Sequence, residues 1–216
     1  MKSTAHIIFD LDGTLIDSAP AILSSFRAAF ESAGRSPARP ITAEIIGPPL
    51  RETLTILADS SDPNLIEELA AGFAAIYDTT GVRETETYPG VADALQSLLS
   101  QGKTLYIATN KRIAPTLKIL EYVGWDKLFR GVYALDSFDP RLPDKTTLLT
   151  RLLAIEGLNP KECIYIGDRA EDGHAARSNQ LPFMAVTWGY GGLAPTDFAS
   201  DWLTTATPTQ MLRALQ

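Results

Sequence analysis

The apolar positions of the chain follow different spacings in different stretches. Residues 7–9 (Ile-Ile-Phe) form a short continuous apolar run, which is typical of a strand buried on both faces of a parallel sheet. From about residue 19 to residue 84, apolar positions instead recur at helical spacing. Beyond residue 88, helical and strand-like segments alternate to the end, which predicts a parallel α/β sheet flanked by helices.

The helical stretch predicts three helices inserted after the first strand. The first ends at Gly34, the second follows Pro48-Pro49, and the third begins at Pro63. Proline suits the first turn of a helix and glycine the residue after its end. We therefore expect an α/β core made of residues 1–16 and 86–216, and a helical domain, here called the helical insertion, made of residues 17–85.

Two carboxylates follow the first predicted strand. Asp10 and Asp12 stand directly after the apolar run and before Gly13. Side chains at i and i+2 of an extended chain point the same way, so both carboxylates are expected in one pocket. Like charges at a buried strand end repel each other and lose hydration, which a fold tolerates for a metal ion or for chemistry. A functional site is therefore predicted here rather than a solvated acidic turn.

A second predicted strand, residues 104–109, also ends in polar groups. Thr109 and Asn110 stand at this end, and backbone N–H groups at the start of the next helix can join them in holding phosphoryl oxygens. The alternative is that Thr109 only caps the helix predicted at about residues 113–123. Because ligands of such sheets sit at the carboxyl ends of the strands, we expect Thr109 to lie near Asp10.

A third strand-like run, residues 162–166, closes on Gly167 and Asp168. Asp172 follows four residues later, so one helical turn returns it to the side of Asp168. Glu171 stands beside Asp172 and is the alternative. This acidic pair is expected at the same edge of the sheet as Asp10.

A lysine between the second and third motifs completes the candidate site. Lys145 stands at the start of a predicted helix, where a cation is unfavourable unless an anion is near. This position favours a site role over a surface role. Lys111 and Arg141 are the alternative cations.

The order of these motifs resembles that of the haloacid dehalogenase superfamily, in its phosphatase branch and phosphoglycolate phosphatase-like group. The matching segments are D-x-D-G-T-L at residues 10–15 and G-D-x-x-x-D at residues 167–172. The resemblance spans essentially the whole chain and implies a Rossmann-like parallel sheet, with the helical insertion acting as a cap hinged at residues 17–18 and 85–87. The sequence departs from the family pattern at Lys145. In this branch of the family the lysine is usually followed by proline, whereas here it is followed by Thr146.

The resemblance also implies roles. Asp10 would be the nucleophile and Asp12 the general acid/base, Thr109 would hold the phosphoryl group, and Lys145 would neutralise charge. The implied reaction is Mg²⁺-dependent hydrolysis of a small phosphate monoester, phosphoglycolate or a related metabolite, through an aspartyl-phosphate. The implied metal ligands are Asp10, Asp12, Asp168 and Asp172.

Charge supports a hard cation at this site. Like charges near 4 Å repel by about 4 kcal/mol per pair at an effective dielectric of about 20, so four carboxylates and a phosphate need compensation. Oxygen ligands suit Mg²⁺, and one cysteine and two histidines cannot build a thiolate or imidazole cage.

Substrate contacts are predicted at Asn110 and Arg51. Arg51 follows the turn at residues 47–49, which resembles the family's substrate loop and would frame a guanidinium for an anionic group of the substrate. A solvated surface arginine is the alternative.

Other activities of the superfamily fit less well. A dehalogenase lacks the second aspartate, and a phosphonatase needs a cap lysine, whereas residues 16–84 contain five arginines and no lysine. A sugar phosphomutase carries a histidine where Ile22 stands, and it remains the alternative enzyme. A non-catalytic binding or regulatory module on this scaffold is the alternative outside enzymes.

Composition narrows the partners. The net charge of −7 argues against nucleic-acid binding, which needs a basic face. No apolar stretch is long enough for a signal peptide or a membrane span, and the single cysteine leaves no internal disulfide. We expect a cytoplasmic protein with a small phosphorylated substrate and no membrane partner, and the oligomeric state is open.

Overall fold

A parallel sheet forms the centre of the computed structural model, which describes residues 4–191 and 201–215. The strands of the described residues are β1 (His6–Phe9), β2 (Ile16–Asp17), β3 (Glu86–Thr87), β4 (Thr104–Thr109), β5 (Gly131–Ala134), β6 (Cys163–Gly167), β7 (Phe183–Val186) and β8 (Leu203–Thr205). Six of them form the main sheet in the order β5-β4-β1-β6-β7-β8, with every pairing parallel.

Strand β1 lies between β4 and β6, which explains its unbroken apolar sequence. Phe9 is in register with Ile107 of β4 and Ile166 of β6. The carboxyl ends of these three strands therefore meet at one edge of the sheet. The candidate residues that follow them are brought to that edge by this register.

Helices cover both faces of the sheet. They are α1 (Ala19–Ser32), α2 (Leu50–Ala58), α3 (Pro63–Tyr77), α4 (Val91–Ser100), α5 (Ile113–Tyr122), α6 (Lys145–Glu156), α7 (Ala170–Ser178) and α8 (Pro208–Ala214). Alternate residues of β1 point to opposite faces, so Ile7 packs in the apolar layer that contains Leu95 of α4, while Ile8 packs in the layer that contains Leu149 of α6. The predicted Rossmann-like α/β fold is confirmed.

The three helices predicted between residues 19 and 84 are present as α1, α2 and α3. Helix α3 begins at Pro63, where the side chain of Asp62 accepts a hydrogen bond from the backbone N–H of Asn64 at 3.0 Å. Helices α1 and α3 pack through Phe26 and Phe73, whose ring centroids are 4.6 Å apart. Burial of each ring contributes roughly 1.5–3 kcal/mol to stability.

The helical insertion leaves and rejoins the rest of the chain at one place. Strands β2 and β3 pair antiparallel there, with Ile16 opposite Thr87 and Asp17 opposite Glu86. This pairing lies at the predicted boundaries and hinges. The division into core and cap stays a prediction. Among the described residues, no helix combines the length and the apolar character that crossing a membrane requires.

Candidate active site

Lys145 lies between two carboxylates at the carboxyl edge of the sheet. Its Nζ is 3.1 Å from Oδ1 of Asp10 and 2.6 Å from Oδ1 of Asp172. All three side chains are buried. A buried lysine without anionic partners would be costly, so these contacts explain why α6 begins with a cation. Of the two alternative cations, Arg141 is exposed, and Lys111 contacts a different carboxylate.

Asp168 completes a cluster of three buried carboxylates. One ligand oxygen from each of Asp10, Asp168 and Asp172 lies within 4.8 Å of the others. Oδ2 of Asp168 accepts hydrogen bonds from the backbone N–H groups of Tyr190 at 2.8 Å and Gly191 at 3.0 Å. The loop after β7 therefore fixes the orientation of Asp168.

The carboxylates of this cluster carry more negative charge than Lys145 balances. Burial raises the pKa of Asp10 to about 8. The charge of Lys145 lowers this pKa, and the neighbouring carboxylates raise it further. Burial and the charge of Asp172 raise the pKa of Asp168 to about 6. Burial alone would lower the pKa of Lys145. The negative charges of Asp10 and Asp172 have the larger effect, so this pKa lies well above its usual value. One lysine therefore does not compensate three carboxylates.

The donor set fits a hard divalent cation. The three converging carboxylates offer only oxygen ligands, which Mg²⁺ prefers. The two positive charges of the ion would balance the negative charge that Lys145 leaves uncompensated. Asp12, which the resemblance also implies as a ligand, would contribute its backbone carbonyl group. Asp10, Asp12 and Asp168 would therefore hold the ion, and Asp172, paired with Lys145, would support the site.

The expectation that the carboxylates of Asp10 and Asp12 share one pocket is wrong: the Asp12 carboxylate lies outside the cluster, in a second environment toward the helical insertion. Its Oδ1 and Oδ2 accept hydrogen bonds from Lys111 Nζ at 3.0 and 3.2 Å, and Oδ1 also accepts from the hydroxyl of Ser18. Lys111 Nζ in turn donates to the phenol oxygen of Tyr77, at the end of α3, at 2.6 Å. Burial opposes the charge of Lys111, but Asp12 and Tyr77 raise its pKa above the usual value.

Thr109 is the last residue of β4 and Asn110 follows it, as predicted, and both are buried. The hydroxyl of Thr109 accepts a hydrogen bond from the backbone N–H of Lys111 at 3.2 Å, within the turn that precedes α5. The N-cap residue of α5 is Arg112, so Thr109 does not cap this helix. The amide of Asn110 donates to the carbonyl of Gly47 at 3.0 Å and to Glu171 at 3.2 Å. Asn110 thus connects the sheet edge to the helical insertion.

Arg51 is not brought to the site. Its guanidinium forms two hydrogen bonds to Glu67, at 2.6 and 2.8 Å, and the Arg51 side chain is 56% exposed. Helices α2 and α3 place these two residues side by side on the surface. This geometry does not support the predicted substrate contact and agrees with the alternative of a surface arginine.

Several site residues were not singled out by the motifs. Lys111 was predicted only as an alternative to Lys145, although it follows Thr109 and Asn110 directly. Tyr77 and Tyr190 carry no local signal, because they reach the site from a distant helix and a distant loop. The phenol oxygen of Tyr190 accepts from the backbone N–H of Ser18 at 2.6 Å and donates to Asp17 at 2.7 Å.

The chain belongs to the haloacid dehalogenase-like hydrolase family, whose model matches residues 7–186. It is therefore an enzyme of the hydrolase class, and the phosphatases among its relatives place it with the phosphatases. The predicted resemblance to this superfamily and to its phosphoglycolate phosphatase-like group is confirmed.

Individual relatives carry different names. A phosphoglycolate phosphatase of Xylella fastidiosa is 34% identical over 188 residues, which cover 85% of this chain and 80% of that protein. The tyrosine-protein kinase PtkA of Mycobacterium tuberculosis is 33% identical over 191 residues, and the match covers 88% of this chain but only 64% of that protein. A solved hydrolase of the same family from Streptococcus pneumoniae is 29% identical and superposes with a TM-score of 0.85, with both chains covered in full.

Proposed function

We propose that this protein is a Mg²⁺-dependent phosphatase that hydrolyses small phosphate monoesters through an aspartyl-phosphate. The observation that carries the proposal is the position of Asp10, in contact with Lys145 and clustered with Asp168 and Asp172 at the end of β1. The family and the phosphatases among the relatives support the reaction class. Phosphoglycolate is the first metabolite to assay.

In the first step, a carboxylate oxygen of Asp10 attacks phosphorus and the ester P–O bond breaks. Asp12 gives its proton to the departing oxygen, which leaves as an alcohol. Lys145 stabilises the carboxylate of Asp10 and the charge on the phosphoryl oxygens. Thr109 and neighbouring backbone N–H groups hold the phosphoryl group.

In the second step, water attacks the phosphorus of the aspartyl-phosphate. Asp12, now a carboxylate, takes a proton from this water, and the bond from phosphorus to Asp10 breaks. The products are inorganic phosphate and the original Asp10 carboxylate. Asp12 returns to its protonated state, so the cycle is closed.

Bound Mg²⁺ would supply positive charge at the phosphoryl oxygens and at Asp10. The ligands on this chain would be the carboxylates of Asp10 and Asp168 and the carbonyl of Asp12. Asp172 would hold Lys145 and support the site. Activity that depends on Mg²⁺ is thus expected from the charge imbalance of the cluster.

The helical insertion would act as the cap that excludes water from the reaction. Two contacts support a closed arrangement: Asn110 donates to the carbonyl of Gly47, and the Arg169 guanidinium donates to the carbonyl of Glu44 at 3.3 Å. The apolar Ile22 lies in the position where a phosphomutase of this superfamily carries a histidine. Hydrolysis is therefore favoured over phosphoryl transfer between sugar hydroxyls.

The test is release of inorganic phosphate from 4-nitrophenyl phosphate, with and without Mg²⁺. We expect turnover that chelation removes and that added Mg²⁺ restores. Rapid quenching should trap an acid-stable but alkali-labile phosphoprotein in the wild type and none in Asp10→Asn. Full turnover in excess chelator would refute the metal-dependent mechanism, and no turnover of any phosphate monoester would favour the non-catalytic module.

A further inference from the structure

The serine at the start of α1 does not bond to its own helix. A serine in this position commonly accepts a hydrogen bond from a backbone N–H group of the first helical turn. Among the described residues Ser18 forms no such side-chain bond, and its hydroxyl donates instead to Oδ1 of Asp12. Ser18 is fully buried. Its hydroxyl therefore serves the carboxylate that, under the proposed function, transfers the proton.

A tyrosine from a distant loop bonds to the start of α1 instead. The phenol oxygen of Tyr190 accepts hydrogen bonds from the backbone N–H groups of Ser18 at 2.6 Å and of Ala19 at 2.9 Å. Its O–H donates to Oδ1 of Asp17 at 2.7 Å. Burial and the hydrogen bond to Asp17 raise the pKa of Tyr190, so the phenol keeps its proton. One phenol thus fixes three consecutive residues around the Ser18 hydroxyl.

The loop that carries this tyrosine is itself packed against the first motif. The indole N–H of Trp188 donates to the carbonyl of Thr14 at 3.0 Å. A Cβ atom at Gly189 would lie 2.1 Å from the carbonyl oxygen of Gly13, so only glycine allows this close approach. The position of Tyr190 is therefore set by its own loop and does not depend on α1.

We propose that Tyr190 is a positioning residue for proton transfer, which holds the backbone of Ser18 so that the Ser18 hydroxyl orients the carboxyl group of Asp12. The backbone N–H of the same tyrosine donates to Oδ2 of Asp168 at 2.8 Å. One residue thus contacts both the carboxylate cluster and the start of the helical insertion. This inference rests on the proposed phosphatase function and deepens it, because it adds a residue that acts on Asp12 through Ser18.

The dependence on the leaving group separates an effect on Asp12 from a general loss of structure. 4-Nitrophenolate is stable as an anion and needs little protonation when it leaves, whereas propanol must receive a proton from Asp12. The ratio kcat/KM covers the steps up to formation of the aspartyl-phosphate and so contains this transfer. With Mg²⁺ present, we expect Tyr190→Phe to lower kcat/KM by about tenfold for propyl phosphate and by less than about threefold for 4-nitrophenyl phosphate.

Further variants test whether the effect passes through Ser18. Ser18→Ala removes the hydroxyl and should lower kcat/KM for the two esters in the same unequal way. The double variant Ser18→Ala/Tyr190→Phe should lose no more on propyl phosphate, relative to 4-nitrophenyl phosphate, than Ser18→Ala does alone. Tyr122→Phe, at an exposed tyrosine of α5, is the matched control and should change neither substrate.

Two results would overturn the role of Tyr190. Equal losses on both esters in Tyr190→Phe would show that the phenol is only structural, and additive losses in the double variant would show that it does not act through Ser18. If circular dichroism shows that Tyr190→Phe is unfolded, Asp17→Ala replaces it, because it removes the acceptor of the phenol proton. The same two readings then apply.

The wild-type protein separates this inference from the proposed function. Absence of Mg²⁺-dependent turnover of both esters by the wild type would refute the phosphatase itself. Wild-type turnover together with equal losses in Tyr190→Phe would leave the phosphatase standing and refute only the role of Tyr190.

Discussion

The two aspartates of the first motif lie in contrasting environments, although one residue separates them. Asp10 points into a buried carboxylate cluster whose other members are Asp168, directly after β6, and Asp172, in the first turn of α7, with Lys145 as its cation. Asp12 faces the helical insertion, where Lys111 and Tyr77 surround it. The first environment suits the reaction at the phosphoryl group, and every substrate of such an enzyme carries that group. The second is partly built by the helical insertion, and it fits selection of the leaving group.

The largest expected effect is on the Asp10 side. Asp10→Asn removes the anionic nucleophile and keeps the shape of the side chain, so turnover of 4-nitrophenyl phosphate should fall by about 10⁴-fold or more. Far-UV circular dichroism and the Tm should show a folded protein. Turnover within tenfold of wild type would remove Asp10 from its proposed role.

Metal removal should come next, with an effect that depends on pH. The raised pKa values of Asp10, about 8, and Asp168, about 6, mean that folding disfavours their charged forms. Stability of the metal-free protein should therefore fall as the pH rises from about 4 to about 8. Since Mg²⁺ binds the ionised carboxylates, the rise in Tm on adding Mg²⁺ should be larger at pH 8 than at pH 5.5.

The same measurement ranks two of the carboxylates. Asp168→Ala should weaken the Mg²⁺ dependence of the Tm more than Asp172→Ala does, because Asp172 already holds Lys145 at 2.6 Å. The reverse ranking would mean that their proposed roles are exchanged. An Mg²⁺ effect that is equal at both pH values would contradict the ionisation argument.

The two lysines compare the environments directly. Lys145→Ala should lower kcat by about 10²–10³-fold, because it leaves buried carboxylates without their cation. Lys111→Ala should cost about tenfold, since Asp12 keeps the hydroxyl of Ser18. In the sequence Lys111 was only an alternative to Lys145, and its contact with Asp12 gives it a place of its own. A greater loss in Lys111→Ala would place the main cation on the Asp12 side.

Tyr77→Phe tests the contribution of the helical insertion. It removes the phenol oxygen that accepts from Lys111 and keeps the ring, which packs on Phe73 with centroids 5.2 Å apart. We expect a loss of a few-fold in kcat/KM and about 1 kcal/mol in the free energy of unfolding. Unchanged kinetics would show that Lys111 needs no support from α3.

The smallest effect is expected at Arg51. Its ion pair with Glu67 is exposed, so Arg51→Ala should change the free energy of unfolding by less than about 1 kcal/mol. KM for phosphoglycolate should change less than twofold. A several-fold rise in KM for anionic substrates alone would restore the role predicted from the sequence.

Local pattern was sufficient where a residue's surroundings are set by its own strand or helix. The apolar run before Asp10 required a central strand, and helical spacing with proline and glycine signals located α1, α2 and α3. The position of Lys145 at a helix start could be interpreted because a cation there needs an anion nearby. For the same reason, the motifs were enough to predict which aspartates lie at the carboxyl edge of the sheet.

Tertiary structure alone decided which side chains meet across elements that are far apart in the chain. Helices α2 and α3 place Glu67 beside Arg51 and so turn that arginine away from the site. The same packing brings Tyr77 to Lys111, and the loop after β7 brings the backbone of Tyr190 to Asp168. Such contacts depend on helix packing and loop paths, which periodicity does not encode. The acidic cluster was therefore predictable from the sequence, whereas the surroundings of Asp12 were not.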